Sequence, residues 1–314
     1  MRWGRYLRKR DSHRRDARSL DPRWANQNRK EQSCWLSPVT ASNNQDLMLV
    51  RRRVRAIKVP PMSEPVLPSM RVDGQTALVT GAGRGIGKGC AIALAEAGAD
   101  LFVMSRTESE LDEVVAQIEE VGRSAQKIVC DVSDGAAIRR HIGEIDRLDI
   151  LVNNAGILRP SSLLDLSEDD LDDMLQVNCR GAVLVAQAAA EIMTRQESGV
   201  IVNMSSTFGV NGRANNSIYS ATKHFIEGFT KSTAVELAPL GIRVAAVGPT
   251  AIDTPLTHDR LNDPEIGGDL LSRIPMGRFG QITDVVGAVV FLSSPAAALV
   301  SGTTLMVDGG WSAQ

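Results

Sequence analysis

The sequence predicts an α/β protein built on a parallel sheet with helices on both faces. Three observations predict it. From about residue 71 onward, aliphatic runs of strand length alternate with longer segments of helical pattern, as in successive βαβ units. The first run, residues 75–80, leads straight into the turn Gly81-Ala82-Gly83-Arg84-Gly85-Ile86-Gly87, followed by an alanine-rich helix ending near Gly98. The composition, 43% hydrophobic but only 4% aromatic over 314 residues, fits a globular chain with an aliphatic core.

Ahead of that pattern lies different material. Residues 1–60 hold 16 Lys and Arg against 5 Asp and Glu, so the overall charge of −2 conceals a basic arm and an acidic body. Residues 1–69 show no sustained apolar period and are read as a disordered extension, with one folded domain over 70–314. A transit peptide is disfavoured by Asp11, Asp16, Asp21 and Glu31. A nucleic-acid tail would rest on Arg51-Arg52-Arg53-Val54-Arg55, without a binding fold beside it. The favoured reading is upstream sequence translated from a start placed too early, with Met62 and Met70 just before the folded pattern. No run approaches the ~18 apolar residues of a membrane span. Cys34, Cys90, Cys130 and Cys179 form no Cys-x-x-Cys pair and suggest neither a metal site nor a disulfide framework; a reducing, cytoplasmic compartment is expected.

Within the domain, the strand–turn–helix unit at Gly81, Gly85, Ile86 and Gly87 has the makings of an anion site. Glycines let the backbone approach a pyrophosphate, and the first N–H groups of the helix point at it. The next strand, residues 100–105, ends in Ser105-Arg106, where a dinucleotide fold inspects the adenosine ribose. A serine and an arginine suit the 2′-phosphate of NADP better than the free hydroxyl of NAD, and Arg84 offers a second cation. NADP is therefore expected, with NAD as the alternative. A helix over residues 108–122 leads to a strand at 125–130 closed by Asp131-Val132. Asp131 is a candidate acceptor for an adenine amine, or a cap for the helix starting near Asp134. A strand at 148–152 then runs into Asn153-Asn154-Ala155-Gly156, whose small residues allow close backbone approach.

Tyr219 and Lys223 stand four apart on a predicted helix, hence on one face, with Ser206 thirteen residues upstream of Tyr219. A nearby cation favours a phenolate, which brings a tyrosine toward working range as an acid–base group. Ser206 would share the substrate oxygen. Alone, the Tyr-x-x-x-Lys spacing is common; with the glycine turn upstream it gains weight.

Taken together, Thr80-Gly81-x-x-x-Gly85-Ile86-Gly87, Asn153-Asn154-Ala155-Gly156, Asn178, Ser206 and Tyr219-x-x-x-Lys223 occur in the order and spacing of a known family. Over about residues 71–314 the chain resembles the short-chain dehydrogenases/reductases, single-domain Rossmann folds with a doubly wound, seven-stranded parallel sheet. The resemblance implies Tyr219 as acid–base residue, Ser206 as the hydroxyl holding the substrate oxygen, and Lys223 as modulator of Tyr219 and ligand of the nicotinamide ribose. Asn178, on a long helix over about 167–195, would position a water in a proton relay. Gly248-Pro249-Thr250 departs from the family's usual Pro-Gly, while Ile252-Asp253-Thr254 resembles the stretch that meets the nicotinamide carboxamide.

The expected activity is NADP-preferring interconversion of a secondary alcohol and a ketone, on a sugar, polyol or other small carbonyl compound as in the sugar, gluconate-type and tropinone-reductase-like enzymes. The runner-up is 3-oxoacyl-[acyl-carrier-protein] reduction, for which Arg213, Arg260 and Arg273 are scattered candidates for a basic rim. A dinucleotide sensor without chemistry would have no need of Ser206, Tyr219 and Lys223 together, and an extended nucleotide-sugar epimerase would carry a separate substrate domain. Residues 250–275, rich in Pro and Gly, are read as a loop-rich insert and the substrate-pocket candidate, with His258 a surface or substrate contact. The resemblance also implies a homotetramer or homodimer, using the helix that bears Tyr219; Phe225, Phe229 and Leu237 on that helix are either spare apolar surface or core.

Overall fold

The computed structural model describes residues 66–314, so the predicted basic extension, except for residues 66–69, lies outside the described part, as does Cys34. Seven parallel strands form one sheet: β1 (Thr76–Thr80), β2 (Asp100–Ser105), β3 (Ala125–Val129), β4 (Ile150–Asn153), β5 (Gly199–Met204), β6 (Ile242–Pro249) and β7 (Thr304–Val307), in the order β3-β2-β1-β4-β5-β6-β7. The doubly wound sheet expected from the sequence is the one observed.

Burial on both faces explains why the strands read as unbroken aliphatic runs. In β1, Ala77 and Val79 enter one core cluster and Leu78 the other; Val200 and Val202 of β5 likewise oppose Ile201. The first cluster packs against α1 (Gly85–Glu96), α2 (Glu108–Glu120) and, late in the chain, α9 (Ile282–Ser293) through Leu94, Val114 and Val289. Facing the other side are α3 (Gly135–Gly143), α5 (Ala182–Gln196) and α6 (Ser217–Leu237), through Ile138, Val185 and Ala234. Each fully buried Leu or Ile contributes about 1.5–3 kcal/mol, so the two clusters dominate the stability of the fold.

Local chemistry sets the helix starts. Asp134 caps α3 by accepting from the amides of Ala136 and Ala137, and Ser167 caps α4 (Glu168–Met174) by accepting from that of Asp170. Between α4 and α5 the chain continues as a π-helical stretch, Leu175–Gly181, so the long helix expected around Asn178 is present but interrupted there.

The insert at residues 250–275 is more ordered than expected. It holds two short helices, α7 (His258–Asn262) and α8 (Pro264–Ser272). Asp263 accepts from the amides of Glu265 and Ile266 while Pro264 sits at the first helical position, a strong helix start within a Pro- and Gly-rich stretch. Leu261, Leu270 and Ile274 then pack with Trp311 and Phe208 as a third apolar cluster. That packing supplies the stability that short helices lack by themselves.

Candidate active site

Strand order reverses between β1 and β4, and their connections leave in opposite directions, opening a crevice at the carboxyl ends of the strands. A cavity of about 500 Å³ lies there, reaching from Ser105 and Arg106 at one end to Ser206, Tyr219 and Lys223 at the other.

Its floor is the glycine turn. Gly81 and Gly85 adopt φ of 64° and 58°, in the left-handed region that favours glycine, and a Cβ on Gly87 would clash with the Gly81 carbonyl oxygen. At its helical end the N-cap residue, Arg84, makes no side-chain cap, leaving the first amides of α1 available to an anion. Asn154 braces the turn, its Nδ2 donating to the Thr80 carbonyl at 2.9 Å, while its own amide and that of Ala155 donate to Thr80 Oγ1 at 3.0 Å.

At the far end, Arg84 and Arg106 are each held loosely. Their guanidinium groups lie 3.7 Å from Glu110 and 3.6 Å from Asp131, with side chains 64% and 65% exposed, so both can turn toward a phosphate. Asp131 does not cap α3, because Asp134 has that role; its carboxylate instead accepts from the Ser133 amide at 2.8 Å, and it lines the cavity beside Val132. Ala155, Gly156, Pro249, Ile252 and Thr254 line the wall as well. Asn153 does not. It is 7% exposed, and its Nδ2 donates to the Ala182 carbonyl and to Asn203 Oδ1, joining β4, β5 and α5 beneath the site.

The acid–base end is assembled by β5 and α6. Ser206 follows β5 in extended conformation, buried, its Oγ accepting from the Phe208 amide at 3.2 Å. Tyr219 lies in the first turn of α6, and Lys223 one turn later places Nζ 5.6 Å from the Tyr219 ring centroid while donating to the Met204 carbonyl at 2.8 Å. Phe208 meets Tyr219 edge-on at 6.2 Å and fixes the ring. Burial pushes the Tyr219 phenol up to about 12, against lowering by the Ser206 hydroxyl and the Arg260 guanidinium. Burial likewise pushes Lys223 down to about 8, against raising by Cys179 and Glu227. Burial outweighs the phenol depression expected from a neighbouring cation, which leaves Tyr219 a proton donor at neutral pH.

Asn178 sits in the π-helical stretch, 2% exposed. Both its amide hydrogens are spent, on the Ile157 carbonyl at 2.9 Å and Thr222 Oγ1 at 3.2 Å, and its Oδ1 accepts from the Ile157 amide. Its side chain braces the wall and does not line the cavity. Thr250, where the expected glycine is missing, has no left-handed φ, so the loop takes its path without one. Its Oγ1 is buried with no hydrogen-bond partner and the residue lines the cavity. An orphaned hydroxyl, uncapped helix amides and a turn closed to any Cβ are what a bound dinucleotide would use, and these residues fit it. His258 is exposed, paired with Asp253 at 3.0 Å, and away from the lining. Cavity residues that sequence reasoning passed over include Ile157, Leu256 and Thr257, which carry no motif; only their position after a motif or at the insert's start could have marked them. Among the described residues, no cluster of His, Cys, Asp and Glu is placed to hold a metal ion.

A glycine turn with uncapped helix amides and a Ser–Tyr–Lys set opening into the same crevice have the makings of a dinucleotide-dependent oxidoreductase site. Residues 81–312 match the family model described as Enoyl-(Acyl carrier protein) reductase. L-xylulose reductase of Bos taurus is 38% identical over 243 residues, 77% of this chain and 98% of that protein. A 3-oxoacyl-[acyl-carrier-protein] reductase of Staphylococcus aureus is 40% identical over 241 residues, 75% of this chain and 97% of its own. The crystal structure of a candidate 2-deoxy-d-gluconate 3-dehydrogenase from Agrobacterium tumefaciens with bound NADP superposes with a TM-score of 0.74 at 38% identity, over 78% of this chain and 99% of that one. The chain belongs to the short-chain dehydrogenase/reductase family and is an NAD(P)-dependent oxidoreductase of alcohols and carbonyl compounds.

Proposed function

We propose that the protein is an NADP-preferring reductase of small ketones of the sugar and polyol type, working from the Tyr219 end of the cavity. The observation that carries this reading is the opening of Ser206, Tyr219 and Lys223 into the same cavity as the glycine turn. The nicotinamide supplies the hydride when the cofactor is bound. Tyr219 Oη donates its proton to the substrate oxygen as charge develops there, and Ser206 Oγ donates a second hydrogen bond that holds this oxygen in line. Lys223, one turn from Tyr219, supplies positive charge under the phenol and a donor for the ribose hydroxyls. Asn178 acts on the proton path by fixing the Ile157 backbone rather than by holding a water on its side chain. Arg84, Ser105 and Arg106 receive the 2′-phosphate, as the NADP bound to the Agrobacterium relative encourages.

The Staphylococcus relative favours a second reading, reduction of a carrier-bound 3-oxoacyl group. Against it, Arg213 and Arg273 are both tied to Asp269, which removes much of the basic surface an acidic carrier would need. The assembly we infer is a homodimer or homotetramer through α6, where Phe225 and Val235 are 41% and 78% exposed, in a reducing cytoplasmic setting that suits the buried free thiols of Cys90, Cys130 and Cys179.

Tyr219→Phe tests the central assignment. The phenyl ring keeps the Phe208 contact, so NADPH binding by fluorescence titration is retained, while ketone-dependent NADPH oxidation falls by roughly 10²–10⁴-fold. Turnover near that of the unsubstituted protein, with cofactor still bound, would refute the role.

A further inference from the structure

We propose that Glu227 is a positioning residue for the reaction: its buried carboxylate holds the end of β5 that leads into Ser206 and supplies the counter-charge to the Lys223 ammonium. This deepens the reductase reading and rests on it for the roles of Ser206 and Lys223.

Glu227 lies on α6 one turn beyond Lys223, and both are buried. The two side chains grip adjacent residues at the end of β5. Lys223 Nζ donates to the Met204 carbonyl at 2.8 Å, and Glu227 Oε1 accepts from Ser205 Oγ at 2.5 Å. Glu227 Oε2 accepts from Thr304 Oγ1 of β7 at 2.6 Å. Both hydroxyl donors are set by the sheet: the Ser205 amide donates to the Val247 carbonyl at 2.8 Å, and Thr304 stands opposite Ala246. Gly209 closes over the contact, where a Cβ would lie 2.5 Å from Ser205 Oγ and 3.0 Å from Glu227 Oε1. Glu227 thus ties the helix bearing Tyr219 and Lys223 to the residue before Ser206, so that the spacing among the three is fixed from behind.

Tying alone does not call for a carboxylate. A buried charge costs more to desolvate than an amide does, and its hydrogen-bond partners here are two neutral hydroxyls. What the charge adds falls on Lys223, where Glu227 and Cys179 act against the lowering by burial. Burial pushes the Cys179 thiol up and the Tyr219 phenol up to about 12, so both are uncharged at neutral pH and Glu227 is left as the anion. The other charged groups on the elements around α6 are engaged elsewhere or exposed. Arg180 donates to the Ser133 carbonyl, Arg243 to those of Leu292 and Val300, and Asp170 and Asp173 pair with Arg159. The remaining charges of α4 and α6, such as His224 and Lys231, are exposed, while β5, β7 and the turn Thr207–Gly209 carry no ionisable side chain.

Two variants of the full chain separate the charge from the tie. Glu227→Gln keeps the shape and can engage both hydroxyls without the charge; Ser205→Ala removes the tie to β5 and leaves the charge. NMR of protein carrying isotope-labelled lysine reads the Lys223 titration, its signal assigned by its loss in Lys223→Arg. NADPH oxidation with the faster of L-xylulose and 5-keto-D-gluconate reads turnover. In Glu227→Gln, Lys223 is expected to lose its proton at lower pH, and the alkaline decline of kcat/KM should move with it, while NADPH affinity below the decline is retained. Ser205→Ala should leave that titration in place and lower kcat roughly tenfold, with KM for the ketone within about twofold. An unmoved Lys223 titration in Glu227→Gln would overturn the proposal. So would an unchanged kcat in Ser205→Ala, which decides the matter even if Glu227→Gln does not fold. A lower melting temperature in both variants with kcat and pH profile intact would mean a purely structural carboxylate, and would overturn it too. Failure of the unsubstituted protein to reduce either ketone would count against the reductase reading instead, and the Lys223 titration would still decide whether Glu227 governs that ammonium.

Discussion

Lys223 is expected to set the pH behaviour of the site. Its ordinary value of 10.5 is pushed down to about 8 by burial, so the ammonium present at pH 7 is lost as pH rises through about 8. Reduction is expected to follow it: kcat/KM is level below that point and declines above it, while the Tyr219 phenol, pushed up to about 12, stays protonated throughout. Lys223→Arg, which keeps its charge at any assay pH, should remove the decline; an unchanged profile in that variant would mean that another group titrates. The sign for folding is opposite. Between about 8 and 10.5 the unfolded chain binds a proton that the folded chain does not, so the Lys223 contribution makes the protein more stable as pH rises across that window. Ser206, Tyr219 and Lys223 were legible because helical spacing and motif order are properties of the sequence. The spent side chain of Asn178 and the orphaned hydroxyl of Thr250 were not, since each depends on partners brought by distant segments.

Helices α7 and α8 show how an element can hide in a sequence. Pro264, Gly267 and Gly268 suggested loop, yet Asp263 followed by Pro264 is itself a helix-start signal, and Leu261, Leu270 and Ile274 gain their partner only in Trp311 at the far end of the chain. Asp263→Ala should cost about 1 kcal/mol through the lost cap, confined to the wall over the substrate. The expected result is a several-fold higher KM for the ketone, measured by steady-state kinetics, with the dissociation constant of NADPH unchanged. An equal weakening of NADPH would show that the two helices are part of the cofactor's own enclosure. The β–α units of the first half, by contrast, were read almost to the residue, because their caps and apolar periods are local.

At the scale of the whole molecule, the parallel sheet and its two-sided core followed from the alternation of patterns, whereas the strand order was not legible, since periodicity says nothing of which strands adjoin. Assembly is the corresponding prediction. If α6 forms the subunit contact, Phe225→Asp combined with Val235→Glu should shift the sedimentation coefficient toward that of a single chain while circular dichroism stays native. A monomeric parent protein would refute it. The cavity shared by the glycine turn and the Ser–Tyr–Lys set bears on the order of events in a turnover. Residues 254–257 line the cavity and continue directly into α7, whose Leu261 packs in the cluster that includes Phe208, the ring set edge-on to Tyr219. A ketone arriving first would find the space for the nucleotide still open beside it. A compulsory sequence is therefore expected, with the dinucleotide first to enter and last to leave, and product-inhibition kinetics check it.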